Sequence, residues 1–185
     1  MSPPEAIDRA EWVRAALERH ETSLLRYAQS LTGDPDSAQD IVQDTFLRLC
    51  EQDPAAIDGH LAQWLFTVCR NRALDLHRKD RRMSPLTDLD LENREAAGPS
   101  PATQAANRDT ADTVMTLLAG LPPNQREVVR LKFQGQMSYD EIAAVTSLSV
   151  GNVGFLLHTA LKTLRRRLAA LEPPLSGRDP RPAGT

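Results

Sequence analysis

Apolar residues recur at three- and four-residue spacing along most of this chain, and nowhere do they alternate one by one for any length, so the pattern predicts helices and no strands. Trp12, Val13, Ala16, Leu17, Leu24, Leu25, Ala28 and Leu31 mark one or two amphipathic helices between Glu5 and Leu31. Gly33-Asp34-Pro35 ends that run; Asp34 is placed to cap a new helix with Pro35 at its first position. The next helix spans Pro35 to Glu51, with Ala38, Ile41, Val42, Thr45, Phe46 and Leu49 as its core stripe. Asp53-Pro54 breaks the pattern. A further helix starts near Asp58 or His60 and runs to about Arg82, apolar in its first half (Leu61, Trp64, Leu65, Phe66, Val68) and basic in its second.

After Met83 the helical stripe is lost. Between Leu86 and Asp112 six acidic residues stand against two arginines, among Pro, Gly and small polar residues, which reads as a flexible acidic linker. The pattern resumes at Thr113–Leu121 and stops at Pro122-Pro123. Asn124 then opens a helix expected to bury Val128, Val129, Leu131 and Phe133 and to stop at Gly135. Ser138-Tyr139-Asp140-Glu141 is a capping box before Ile142, Ala143 and Val145, where Ala143-Ala144 allows close helix approach. Thr146-Ser147-Leu148 makes a turn, and Ser149 caps a last helix that becomes basic toward Leu168. The resulting expectation is all-α: a helical domain over 1–83, a linker over 84–110, a second helical domain over 111–171, and a disordered tail over 172–185.

Composition narrows this only a little. The chain of 185 residues is 41% hydrophobic, which suits a soluble fold, and only 4% aromatic, so aliphatic residues must build the core. Its net charge of −3 gives no global basic field, and charge has to be read locally. No apolar run reaches bilayer-spanning length and no signal sequence opens the chain, so no membrane insertion and a cytoplasmic location are expected. Cys50 and Cys69 read as small buried hydrophobes, not metal ligands. There is no nucleophile–base pair, phosphate loop or His/Cys cluster, so neither enzyme chemistry, a metal nor a cofactor is expected.

Two segments carry candidate chemistry. The capped pair from Ser138 onward is a helix-turn-helix pattern, a device that lays its second helix in the DNA major groove. Asn152, Phe155, His158, Thr159 and Lys162 are candidates for its DNA face. Lys162, Arg165, Arg166 and Arg167 add four positive charges suited to phosphate, or to a solvated helix end. In the first domain, Arg70, Arg72, Arg78, Lys79, Arg81 and Arg82 stand against two acids, with Asn71 among them and Trp64 and Phe66 just upstream. Cations, an amide and aromatics suit single-stranded nucleic acid; core packing is the alternative for the aromatics.

Asp36–Leu49 (DSAQDIVQDTFLRL), Trp64–Arg82 (WLFTVCRNRALDLHRKDRR) and the segment beginning LPPNQREVVRLKFQGQMSYDEIAAVTSLSVGNV, in that order, resemble the sigma-70 family of RNA polymerase sigma factors, in particular its extracytoplasmic-function (ECF) group. The resemblance implies that Asp40, Gln43, Asp44, Leu47 and Arg48 face the clamp helices of the polymerase β′ subunit. It implies that Trp64, Arg70, Asn71, Arg72, Arg78, Lys79, Arg81 and Arg82 open and hold the −10 element, with Asn71 near an extruded base. Ser138, Tyr139, Ser149, Asn152, Phe155, His158, Thr159, Lys162, Arg165 and Arg166 would meet the −35 element. Promoter DNA, core polymerase and an anti-sigma factor are the implied partners. The chain departs from the family at Gly154, Phe155 and Leu156, where a basic run is usual. Two alternatives stay open: a stand-alone helix-turn-helix regulator, and an adaptor that binds polymerase without promoter specificity. With no partner bound, the charges predict that the two basic faces close on each other across the acidic linker.

Overall fold

The computed structural model describes residues 8–83 and 113–171, leaving aside the side chains of Asp58 and residues 80–83; the expected linker over 84–110 and tail over 172–185 lie outside the described residues. The described residues form two groups of helices, with no strand among them.

The first group begins with α1 (Arg9–Thr32), a single helix rather than two. Asp8 caps it by accepting from the Ala10 amide at 3.0 Å. Gly33 ends it in the left-handed region (φ 71°), its N–H donating to the Gln29 carbonyl. Asp34 then caps α2 (Pro35–Cys50) through the Ser37 amide at 2.8 Å, with Pro35 in the first turn. All six residues of the expected α2 stripe are buried, and the hydroxyl of Thr45 is satisfied by the Ile41 carbonyl at 2.8 Å. A short α3 (Pro54–Ile57) and a 3₁₀ turn (Asp58–His60), neither foreseen from the pattern, lead into α4 (Leu61–Met83). Leu65, Phe66, Cys69 and Ala73 face the core from α4. The His77 Nε2–H donates to the Leu31 carbonyl at 2.8 Å and ties α4 to the end of α1.

The second group holds a short helix α5 over 113–119, then α6 (Pro123–Phe133), α7 (Tyr139–Thr146) and α8 (Val150–Leu171). The capping box at α7 is complete: the Glu141 amide donates to Ser138 Oγ, and the Ser138 amide donates to the Glu141 carboxylate at 2.7 Å. Ser147 makes the turn with φ 59°, and Ser149 Oγ accepts from the Asn152 amide at the start of α8. The two helices meet at a bend of 103°, inside the range of about 90–120° for a helix-turn-helix.

Several expectations fail in informative ways. Asn124 does not cap α6; Pro122 precedes the helix and Pro123 starts it, so the orphan donors are reduced by proline itself. Phe133 is 60% exposed, being the last residue of α6, although Val129 one turn earlier is buried. Gly135 acts through space, not through φ: a Cβ there would lie 2.7 Å from the Leu131 carbonyl oxygen, and Gln136 takes the positive φ of 55°. Leu25 and Ala144 are exposed, each about 100° around its helix from a buried neighbour. Cys50, the last residue of α2, is exposed, whereas Cys69 is fully buried.

Candidate nucleic-acid interface

On α2 the face opposite the core carries Asp40, Gln43, Asp44, Leu47 and Arg48, at spacings i, i+3, i+4, i+7 and i+8. Asp44 is half-buried and the other four are exposed, Leu47 at 60%. Leu47 and Arg48 border a shallow surface depression whose far wall is Trp64 and Val68 of α4. Trp64 is half-buried, and it therefore belongs to this face as well as to the start of the basic helix.

Asp44 joins the two faces. Its carboxylate accepts from Arg48 Nε at 3.1 Å and from Arg72 Nε at 3.2 Å. Along α4 the consecutive residues Arg70, Asn71 and Arg72 point about 100° apart, so they serve three surroundings. Arg72 turns to α2, Asn71 is exposed to solvent, and Arg70 turns toward the second group of helices. Farther along, Arg78 pairs with Asp75 at 3.2 Å and Lys79 is exposed. Arg81 and Arg82 lie on α4, with side chains outside the described residues.

The two groups meet through an ion pair that the sequence pattern did not single out. Glu127 of α6 accepts from Arg70 Nε at 2.7 Å and from the Tyr27 hydroxyl at 2.8 Å. The Arg70 and Glu127 side chains are only 20% and 14% exposed, and Tyr27 is buried, its ring 5.2 Å from that of Phe66. Phe66 in turn lies 3.4 Å from where a Cβ on Gly135 would sit. Burial raises the Tyr27 hydroxyl well above its ordinary pKa, and the Glu127 carboxylate adds to this. For Arg70, burial disfavours the charge, but the hydrogen bond and charge of Glu127 outweigh it and raise the pKa. Nearby Arg130 is held down to about 10, first by burial and then by Arg126. Closure thus brings one arginine of the basic segment onto an acid of the other group, instead of bringing two basic faces together. Locally, Tyr27 is an aromatic with a polar tip inside an apolar stripe and Glu127 is the only acid in α6; nothing at short range pairs them.

In the helix-turn-helix, Val153, Leu157 and Ala160 anchor α8 in the core. Asn152, Phe155, His158, Lys162, Arg165 and Arg166 are exposed along the opposite side, with Thr159 half-buried between. Ser138 and Ser149 spend their hydroxyls on caps. The Tyr139 ring, 42% exposed, carries the Lys132 ammonium 5.5 Å above its centre. From Phe133 to Leu161 there is no lysine or arginine at all. Among the described residues, no group of three or more His, Cys, Asp or Glu is placed to hold a metal.

A capped helix-turn-helix whose outer side ends in cations, joined to a second helical unit with its own basic helix, defines a DNA-binding transcription protein. A family model for sigma-70 region 2 matches residues 16–83, and one for sigma-70 region 4 matches residues 111–164. The ECF RNA polymerase sigma factor SigL of Mycobacterium tuberculosis is 34% identical over 167 residues, covering 88% of this chain and 92% of that protein. The ECF sigma factor SigM of Bacillus subtilis is 30% identical, covering 79% and 86% respectively. Among solved structures, the sigma factor RpoE of Bartonella quintana, in complex with the anti-sigma factor NepR, superposes with a TM-score of 0.64 at 27% identity, over 89% of this chain and 99% of that one. The chain belongs to the sigma-70 family of RNA polymerase sigma factors, in its ECF group.

Proposed function

We propose the following division of labour for this sigma factor. The outward face of α2, with Asp40, Gln43, Asp44, Leu47 and Arg48, docks on the β′ clamp helices of core polymerase. The basic half of α4 takes the −10 element, with Asn71 at an extruded base and the cations on the strand. The outer side of α8 takes the −35 element. The polymerase supplies the chemistry; the chain itself is not an enzyme and acts in the cytoplasm. An anti-sigma factor holds it in reserve, a reading supported by the Bartonella quintana relative, which is seen with one.

One observation carries the reading. A helix in the sigma-70 region 2 match leaves Leu47 60% exposed amid a single-sided set of polar side chains, next to Trp64 and Val68. An apolar knob with a polar rim is the anatomy of a protein-docking face. Among the described residues no single helix is long and apolar enough to cross a membrane.

The test is run-off transcription by core polymerase with and without the chain. Discrete protein-dependent starts are expected, and Asn71→Ala with Arg72→Ala should abolish opening while polymerase binding survives. Undiminished binding with no promoter opening by the unmodified chain would favour an adaptor instead. Tight sequence-specific duplex binding without polymerase would favour a stand-alone regulator.

A further inference from the structure

Phe155 is the most exposed large apolar side chain among the described residues, at 66%. It stands in the second turn of α8, one turn after the exposed Asn152 and one turn before the exposed His158. A singly exposed apolar side chain is ordinary on a protein surface; Phe155 stands out by its place, on the outer side of the second helix of a helix-turn-helix. The same side becomes cationic two turns later, at Lys162, Arg165 and Arg166, which points to a polyanion rather than an apolar protein groove. In this docking geometry the N-terminal residues of the helix meet base edges and the distal cations meet phosphate.

The chemistry at the base edges is unusual. Guanine is read through its O6 and N7 acceptors, chiefly by arginine or lysine, and no such residue stands between Lys132 and Lys162. In the first two turns what remains on the outer side is the Asn152 amide and the Phe155 ring, with the His158 imidazole one turn farther on. In the major groove a phenyl ring has one apolar target, the C5 methyl group of thymine, and an asparagine amide matches the N6–N7 edge of adenine. Gly154 puts no side chain beside the ring, and Leu156 turns half-inward, so Phe155 stands clear of its neighbours.

We infer that Phe155 is a specificity-determining residue that selects a thymine in the upstream element by contact with its methyl group, with Asn152 one turn away on an adjoining adenine. The inference rests on the proposed reading of the −35 element by α8, and it makes that element rich in A·T pairs where guanine contacts would otherwise dominate.

The test uses the full chain with core polymerase. Promoters are selected from a pool randomised upstream of a fixed −10 region. Each selected thymine is then replaced singly by deoxyuridine, which removes only the methyl group. At one thymine, transcription by the unmodified chain should fall roughly fourfold, the worth of one buried methyl group. Phe155→Ala should transcribe thymine and uracil templates equally, and Phe155→Leu, still apolar, should keep part of the preference. Because the side chain is exposed, both variants should retain the helicity of the unmodified protein. If every uracil template performs like its thymine parent while upstream selection persists, Phe155 does not read the methyl group, although α8 still reads the element. If no upstream base preference emerges at all, both this inference and the −35 assignment fail. A loss of polymerase affinity in Phe155→Ala, without any change in base preference, overturns the inference in favour of protein docking.

Discussion

Cys69 and Tyr27 show how one buried side chain can report on the whole fold. Burial pushes the Cys69 thiol from an ordinary 9.0 up to about 12. A group whose folded pKa is raised contributes stability that is complete below its unfolded pKa and is lost as pH rises toward the folded value. Thermal unfolding temperature should therefore decline once pH exceeds about 9, and Cys69→Ala should flatten that decline between pH 9 and 10 even if it lowers the temperature at every pH. A slope unchanged by the substitution would mean the thiol is not shielded. Above pH 10 the raised Tyr27 acts in the same direction, while Arg130, held down to about 10, acts in the opposite one. Burial of Cys69 followed from its place in an apolar stripe; exposure of Cys50 did not, because it depends on where α2 ends relative to its neighbours.

Among the elements, α7 has the most complete cap at its start. It has only eight residues, too few for a helix to persist on propensity alone. Ser138 and Glu141 satisfy each other's backbone donors at its start. Ser138→Ala should cost about 1 kcal/mol of stability, read as a lower urea midpoint, and should weaken upstream-element use, since α7 supports α8. The cap was legible because it is written in four consecutive residues. The α2 stripe was legible because helical period and burial agree along its whole length. Phe133, Asn124 and Gly135 misled because their surroundings are set by proline geometry and by a backbone carbonyl, and apolar periodicity records neither.

At the scale of the molecule, the contact of Glu127 with Arg70 and Tyr27 ties the two groups of helices together. Elements centred 35 and 10 base pairs upstream of a start lie about 25 base pairs apart, or about 85 Å at roughly 3.4 Å per pair. If α4 and α8 take these two elements as proposed, the 29 residues 84–112, at most about 100 Å when fully extended, are enough to span them, but only with the ion pair broken. Arg70 cannot grip a phosphate while Glu127 holds it. Glu127→Ala should enlarge the radius of gyration in small-angle scattering at low salt, with the helices intact by circular dichroism; no change in size would show that apolar contact around Phe66 suffices to hold the two groups together. Truncating one partner of a buried pair often costs several kcal/mol, but here separation returns Arg70 to water, so the loss is capped by the free energy of closure itself. Nothing in the sequence pattern announced this contact, since its three members lie 57 and 100 residues apart.

The same contact also sets how strongly the protein competes. A partner that engages only the separated arrangement binds with its intrinsic affinity multiplied by the fraction of molecules already apart. Each 1.4 kcal/mol stored in the Glu127 contact thus weakens apparent capture tenfold, while a partner that clasps the joined arrangement gains from the same store. Where many initiation factors share a limited pool of polymerase, the identity of residue 127 acts as a dial on this one's share.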